Sequence, residues 1–568
     1  MTDALPIRTP LQTECQYALR EMHPCKHPLE RDGLCIFHVP KLTSLEKNGL
    51  ARDARSEVEA LENRFRSAFK QLLTQLEADP QIETCQFWRF EFPRMNFDRR
   101  LFKKELRFSF SEFKQGASFV DTTFEQEARF SSCSIQGESS FRGATFQEPS
   151  SFAMVRFDQT GFDKAQFCRG VDFAYAKFAG KATFFETIFG EPSKMRDYDE
   201  SGFDSTVFTK DVSFYQAHFY TKTTFEDATF EDEAAFAESD FEEAANFKNA
   251  AFKTKAVFLK FSFKKAVDFT WATFGSEVLL SGVTFKKWVS FNGVTLAPRT
   301  SFEANDEGSF ENGCSFRWLK IPANALVTFE NLNLEQASFV DSDLTRILFR
   351  NVKWYQPPFN WTRWHRRQVA LWDEYRDKSD ERRGYEKIAE NYHQLVLNYE
   401  SRRDYNTAED FHIGEMETQR KKKGAGLKPG WRRRVKERIN PYGIYWLFSN
   451  YGSSYWQAFI VLLAMLLTFS LIFLYSGFQP SKESAGSPAM MIEYNLVPDA
   501  QHHPVGFGQW IDDYARAILF SLSIITFQRE RFYEPVGDWS RFWLFLSVLL
   551  LTTQAAMVLL AIRRRFKR

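Results

Sequence analysis

The most regular feature of the chain is where its phenylalanines fall. From Phe203 to Phe274 they occupy positions 203, 208, 214, 219, 225, 230, 236, 241, 247, 252, 258, 263, 269 and 274, in alternating steps of five and six that set an 11-residue period. An 11-residue apolar repeat can also mark a right-handed coiled coil. On a helix, however, residues five apart point about 140° away from each other, so these rings would spread over several faces. In an extended chain residues two apart face the same way. Two positions before many of these rings stands a small residue: Ala217, Ala228, Ala234, Ala245, Ala250, Ala256 or Ala272. Thr, Ser, Asp, Glu and Lys fill the positions between. The pattern therefore predicts short strands wound into a β-solenoid, each side pointing one small and one large group inward. It runs earlier through Phe119, Phe124, Phe130, Ile135, Phe141, Phe146, Phe152 and Phe157, and closes on five-residue steps at Phe329, Leu334, Phe339, Leu344 and Phe349. Gly190–Gly202 breaks the register and is expected to bulge as a loop; Ala304–Gly313 is a second irregularity.

Charge supplies a ruler for the coil. Residues 226–243 hold nine acids and no base, and residues 244–266 hold six lysines and no acid. A displacement of 22 matches every lysine to an acid: Glu226/Lys248, Glu231/Lys253, Glu233/Lys255, Glu238/Lys260, Glu242/Lys264 and Glu243/Lys265. A displacement of 11 sets like charges together, as Glu231 over Glu242. One coil is thus about 22 residues and four sides. Exposed pairs of this kind add little stability, but they control which strand lies over which.

The segment FYQAHFYTKTTFEDATFEDEAAF, residues 214–236, resembles the Phe-centred subclass of pentapeptide-repeat proteins. The resemblance covers roughly residues 97–349 and implies a right-handed quadrilateral β-helix. It implies no activity, because one fold carries many roles.

Seven cysteines stand at 15, 25, 35, 85, 133, 168 and 314, all before the first long apolar run. That distribution fits a reducing compartment better than a disulfide framework. No apolar stretch opens the sequence, so no cleavable signal peptide is expected. Cys15, Cys25, Cys35 and His38 offer three thiolates and an imidazole, a set that suits tetrahedral Zn²⁺. Metal binding would supply folding energy to a segment with little apolar content. His23 and His27 are alternative ligands, and three unrelated reduced cysteines are the other reading. Residues 42–78 read as an amphipathic helix (Leu50, Val58, Leu61, Phe65, Phe69, Leu72, Leu73, Leu76) that caps the open end of the solenoid.

Past Trp354 the period becomes helical. Tyr385, Ile388, Tyr392, Leu395 and Tyr399 form one stripe, and Ala408, Phe411 and Met416 another. Together they resemble one tetratricopeptide-like hairpin, read here as a connector. Ten Lys or Arg follow between Arg420 and Arg438. They precede Trp456–Ser476, 21 mostly apolar residues, which reads as a membrane span. A second runs from Phe542 to Ile562 and ends in RRRFKR. Basic flanks on both spans predict cytoplasmic termini, residues 477–541 outside, and a multi-pass protein of the cell inner membrane. Trp431 and Trp446 fit interfacial anchoring.

Between the spans, Asp513–Phe527 is too short to cross. It resembles the pore helix of two-span, potassium-channel-like modules, with Ser521, Leu522, Ser523 and Thr526 matching their SL-x-T-x-T run. In that family the run leads to a glycine-rich filter. Here the pore-loop positions Thr526, Phe527, Gln528, Arg529, Glu530 and Arg531 contain no glycine, so potassium selectivity is not implied. The order of segments resembles bacterial and archaeal pentapeptide-repeat membrane proteins with a channel-like C-terminus.

The chain so divides into a zinc-binding segment (1–40), a capping helix (41–80), the β-helix (85–353), a helical hairpin (360–423), a basic juxtamembrane linker (424–455) and a two-span domain (456–568) with a re-entrant helix at 513–527. The fold class is mainly β: a quadrilateral β-helix, then a helical hairpin and two transmembrane helices. No GxxxxGK[ST], GxSxG or HExxH motif occurs, and the nine histidines are scattered, so no enzyme is expected. Lys plus Arg (74) and Asp plus Glu (73) nearly cancel, and acid and lysine rungs alternate, so no nucleic acid or DNA mimicry is expected. The expected partners are membrane lipid, further copies of the chain, and a cytoplasmic protein on the β-helix. The alternative is a scaffold with no pore.

Overall fold

The structure, a computed structural model, describes residues 29–31, 34–193, 199–260, 262–304, 310–358, 367–376, 381–428, 430–480, 492, 507–526 and 533–566. It divides into two compact units, Met1–Trp354 and Tyr355–Arg568.

The first unit is a β-solenoid built of short parallel strands, most only two residues long. A 12-stranded sheet and a 9-stranded sheet form two sides, and one further closed sheet supplies the others. Partners lie 22 residues apart through the regular region: Phe208 over Phe230, Phe230 over Phe252, Phe252 over Phe274. Five of the six charge pairs read from the sequence are ion pairs, from Glu242–Lys264 at 2.6 Å to Glu243–Lys265 at 4.0 Å. Glu238 instead accepts from the Tyr215 hydroxyl at 2.9 Å and the Gln216 amide at 3.0 Å.

Inside, the rings stack along the axis. One column runs from Phe87 to Phe339, and its Phe203, Phe225, Phe247 and Phe269 centroids are 4.7–4.9 Å apart. Across a rung the rings meet edge to face, as Phe203 and Phe214 do at 5.6 Å and 90°. Both arrangements suit the ring quadrupole and add about 0.5–1.5 kcal/mol per pair beyond burial. The small residues behind the rings, such as Ala217 and Ala228, are fully buried. Tight corners place one residue per turn in the left-handed region, among them Asp227, Asn249 and Trp271. At the equivalent corner Gly293 has φ +67, and a Cβ there would lie 2.2 Å from the Trp271 indole, so only glycine fits beneath that ring.

The 190–202 insertion lengthens one coil, so that Val171 pairs with Ser201. The loop ends sooner than the sequence suggests, because Glu200–Gly202 is already a strand. Buried Arg169 holds Asp199 through Nε and Nη2, both at 3.2 Å, and fixes where the chain re-enters. At the second irregularity Phe310 returns to the stack 5.3 Å from Phe285.

The N-terminal end is covered by α1 (Ser44–Asn48) and α2 (Arg52–Ala78). Phe65, Phe69 and Leu73 of α2 are buried, and Phe69 meets Phe87, Phe92 and Phe97. Leu50, Val58, Leu61, Leu72 and Leu76 are only half-buried. Glu62 is buried beside them and is held by Lys47 at 2.8 Å and Gln115 at 2.6 Å.

The second unit holds seven α-helices among its described residues: α3 (Glu381–Ser401), α4 (Tyr405–Gly424), α5 (Trp431–Arg438), α6 (Pro441–Ser449), α7 (Tyr455–Ser476), α8 (Phe507–Ile525) and α9 (Gly537–Phe566). The expected stripe Tyr385, Ile388, Tyr392, Leu395 and Tyr399 is buried on α3, facing Ala408 and Phe411 of α4. Met416 is half-buried, and Glu417 takes the interior position beside it.

Candidate functional site

Of the four metal-ligand candidates, Cys35 and His38 are described; Cys15 and Cys25 lie outside the described residues, as do His23 and His27. Leu34–Cys35 pairs antiparallel with Leu29–Arg31, and a turn brings His38 back over Cys35. Both side chains are buried, with Cys35 Sγ 3.1 Å from His38 Nδ1. His38 Nε2 lies 3.2 Å from the Trp88 carbonyl, to which it can only donate. That leaves Nδ1 as the nitrogen with a lone pair, on the side of the thiol. Such a carbonyl partner is the usual way a ligating imidazole is oriented. A tetrahedral Zn²⁺ held by a thiolate and an imidazole sets S and N about 3.5 Å apart, so the pair needs only a small opening to chelate. Phe37 stacks on Phe90 at 4.7 Å and accepts from the Glu91 amide, which seats this segment on the first rung.

In the second unit, α7 and α9 are long and apolar enough to cross a membrane. Trp456, Phe459, Leu463 and Leu471 of α7 and Phe542, Phe545, Leu549 and Leu560 of α9 are exposed. Interior contacts are polar at a few places. The last carbonyls of α6 have no partners within their own helix. Gln457 Nε2 donates to those of Trp446 and Leu447 at 2.8 and 2.9 Å. Gln554 Nε2 donates to that of Phe448 at 2.9 Å and to the Ala458 carbonyl, inside α7, at 2.8 Å.

The helix expected at 513–527 begins earlier, at Phe507, and packs on both α7 and α9. Ser521 and Ser523 are buried, and Ser470 donates to Ser521 at 3.0 Å; Leu522 is exposed. Thr526 bonds back to Leu522 at 3.1 Å. Phe527, Gln528, Arg529, Glu530 and Arg531 lie outside the described residues. Beyond them Tyr533–Pro535 pairs antiparallel with Phe478–Pro480, so a two-stranded ribbon ties the end of α7 to the start of α9.

Two buried networks escaped the sequence reading. In one, Glu374 accepts from Arg367, Tyr392 and Lys421, each at 2.7 Å. Burial alone would raise its pKa, but the Arg367 and Lys421 charges win and hold it well below the carboxylate range. In the other, Glu417 accepts from Arg420 at 2.7 Å and from the fully buried Tyr451 at 3.3 Å. The recurrence of Asp410, Ile413, Gly414 and Glu417 at helical spacing was the available signal, since acids on an interior stripe need partners.

The family model for pentapeptide repeats matches residues 203–251, in nine copies. Among solved structures, QnrB1, a plasmid-mediated fluoroquinolone resistance protein, aligns at 12% identity and a TM-score of 0.14, over 46% of this chain and 92% of its own. No curated protein matches the chain.

Proposed function

We propose that the chain is a membrane-anchored protein whose β-helix is a cytoplasmic interaction or sensing domain and whose C-terminal module is channel-like in descent. The observation that carries the membrane reading is the pair α7 and α9. Their outward faces are apolar, and their polar side chains Gln457, Gln554 and Ser470 turn inward onto backbone and hydroxyl partners. That is the distribution a lipid solvent requires. Alkaline carbonate extraction of membranes tests it: the chain stays with the pellet, and recovery in the supernatant refutes the reading.

Within this reading the non-conducting scaffold is favoured over the pore. Thr468, Thr552 and Thr553 bond to carbonyls of their own helices, and the two glutamines are spent on α6 and α7. Planar-bilayer recordings of purified protein decide between them. A current that moves toward cations in Arg529→Glu and toward anions in Glu530→Arg establishes a pore mouth; silence at every voltage leaves the scaffold.

The Cys35–His38 pair supports a structural Zn²⁺ completed by Cys15 and Cys25. Metal analysis of full-length protein purified without chelator should give about one Zn²⁺ per chain, lost in Cys25→Ser and Cys35→Ser. Metal-free wild-type protein refutes it.

A further inference from the structure

The stretch expected as a basic linker is helical over α5 and α6, and on α5 its charges are sorted by face. At about 100° per residue, Arg433 and Glu437 share one face. They pair at 2.8 Å, and the Glu437 side chain covers Gly424 at the end of α4. Trp431 and Val435 point the opposite way and are 69% and 42% exposed. Arg432 and Lys436 flank that apolar stripe on one side, Arg434 and Arg438 on the other, and all four are exposed. Among the described residues no carboxylate lies within ion-pair distance of any of the four. The Arg432 guanidinium sits over the Trp431 ring, 5.6 Å from its centroid.

Exposed apolar groups continue beyond the helix. Ile439, 73% exposed, closes α5, and Ile444 and Leu447 are exposed one turn apart on α6. Gln457 and Gln554 fasten α6 to the two long apolar helices through its last carbonyls, and Arg564, near the end of α9, donates to the Tyr451 carbonyl just past α6 at 3.0 Å. The α6 helix therefore lies where α7 begins and α9 ends, and only Ile439 and Asn440 separate it from α5. An apolar stripe between two rows of cations suits a surface that is apolar within and anionic at its edge. A nucleic-acid backbone would meet the cations but set Trp431, Val435 and Ile439 against phosphate. A zwitterionic bilayer would take the stripe and leave four cations without counter-charge. An anionic bilayer takes both.

We propose that α5 and the exposed face of α6 dock on anionic phospholipid, with Trp431, Val435 and Ile439 in the boundary between headgroups and acyl chains and with Arg432, Arg434, Lys436 and Arg438 at lipid phosphates. The place of this surface beside two spans rests on the membrane reading above; its preference for anionic lipid rests on the charges of α5.

The test is hydrogen exchange, followed by mass spectrometry, on the full chain in vesicles of phosphatidylcholine alone and of phosphatidylcholine mixed with phosphatidylglycerol. Residues 431–439 should exchange more slowly in the anionic vesicles, while α3 exchanges alike in both. High salt should remove the difference. Arg434→Gln, Lys436→Gln and Arg438→Gln, all at exposed positions without an acidic partner, should each cut the added protection about five-fold. Val435→Ser should also cut it, with every charge kept. Equal exchange at 431–439 in the two kinds of vesicle overturns the proposal, as does a difference that the three cation substitutions leave untouched. A DNA duplex that protects 431–439 in detergent as strongly as the anionic vesicles do overturns it in favour of nucleic acid. Failure of the membrane reading is seen separately, in carbonate extraction: a chain released by carbonate can still be mixed with the same vesicles and its α5 read in the same way.

Discussion

In the β-helix, most residues find their neighbour 22 positions along the chain: Phe203 over Phe225, Glu231 by Lys253, Thr229 against Ala251. In the helical unit no such rule exists. Ser470 meets Ser521, Lys421 meets Glu374 47 residues back, and Gln554 caps a carbonyl 106 residues away. The first unit repeats one local solution, so each contact is backed by equivalents a rung above and below. The second depends on single polar side chains in apolar surroundings, where no neighbour can substitute. A solenoid therefore tolerates local change, including an insertion inside a rung, and the helical unit concentrates its sensitivity.

That contrast can be broken most directly at Glu374. Glu374→Gln leaves the buried Arg367 without its carboxylate, and should destabilise the second unit by about 3–5 kcal/mol, read as a lower unfolding midpoint for that unit in denaturant. The same group gives a pH dependence. Its pKa is lowered in the folded state from an ordinary 4.5, because Arg367 and Lys421 outweigh burial. The stabilisation is complete above that value and is lost as pH falls below it. Wild-type protein should thus lose stability between pH 5 and pH 3 by more than Glu374→Gln does, with the two curves parallel above pH 6, all values being about these. Parallel curves throughout would remove Glu374 as the cause.

In the rod, Phe225→Leu should cost about 1–3 kcal/mol. Because the rungs above and below stay intact, hydrogen exchange should accelerate mainly in residues 203–252 and not along the whole solenoid. Uniform acceleration would contradict the one-dimensional picture. Gln554→Leu should cost about 1–2 kcal/mol in bilayers, since it strips a partner from the Phe448 and Ala458 carbonyls; Gln457→Leu should resemble it, as both glutamines cap the same helix end. The smallest effect belongs to the surface ruler: Lys253→Gln should change stability by at most about 1 kcal/mol, falling further in 1 M salt. A large, salt-resistant loss there would mean the pair does more than hold register.

The sequence alone determined the period of the solenoid, the length of its coil, five of the six cross-rung ion pairs, the buried α3 stripe and the two long apolar helices. Each of these follows from spacing along the chain, because strand alternation, rung length and helical turn convert separation in sequence directly into direction in space. The same holds for Cys35 and His38, three residues apart across one turn. Only the tertiary structure decided that His38 is oriented by the Trp88 carbonyl, that Gly293 makes room for Trp271, and that Glu374 and Glu417 centre buried networks. It alone decided that Ser521, read as part of a pore run, is bonded to Ser470. These contacts join segments whose separation obeys no period. Their energies depend on burial, and burial is a property of the assembled fold: a carboxylate on a helical stripe reads the same in sequence whether water or an arginine waits opposite it.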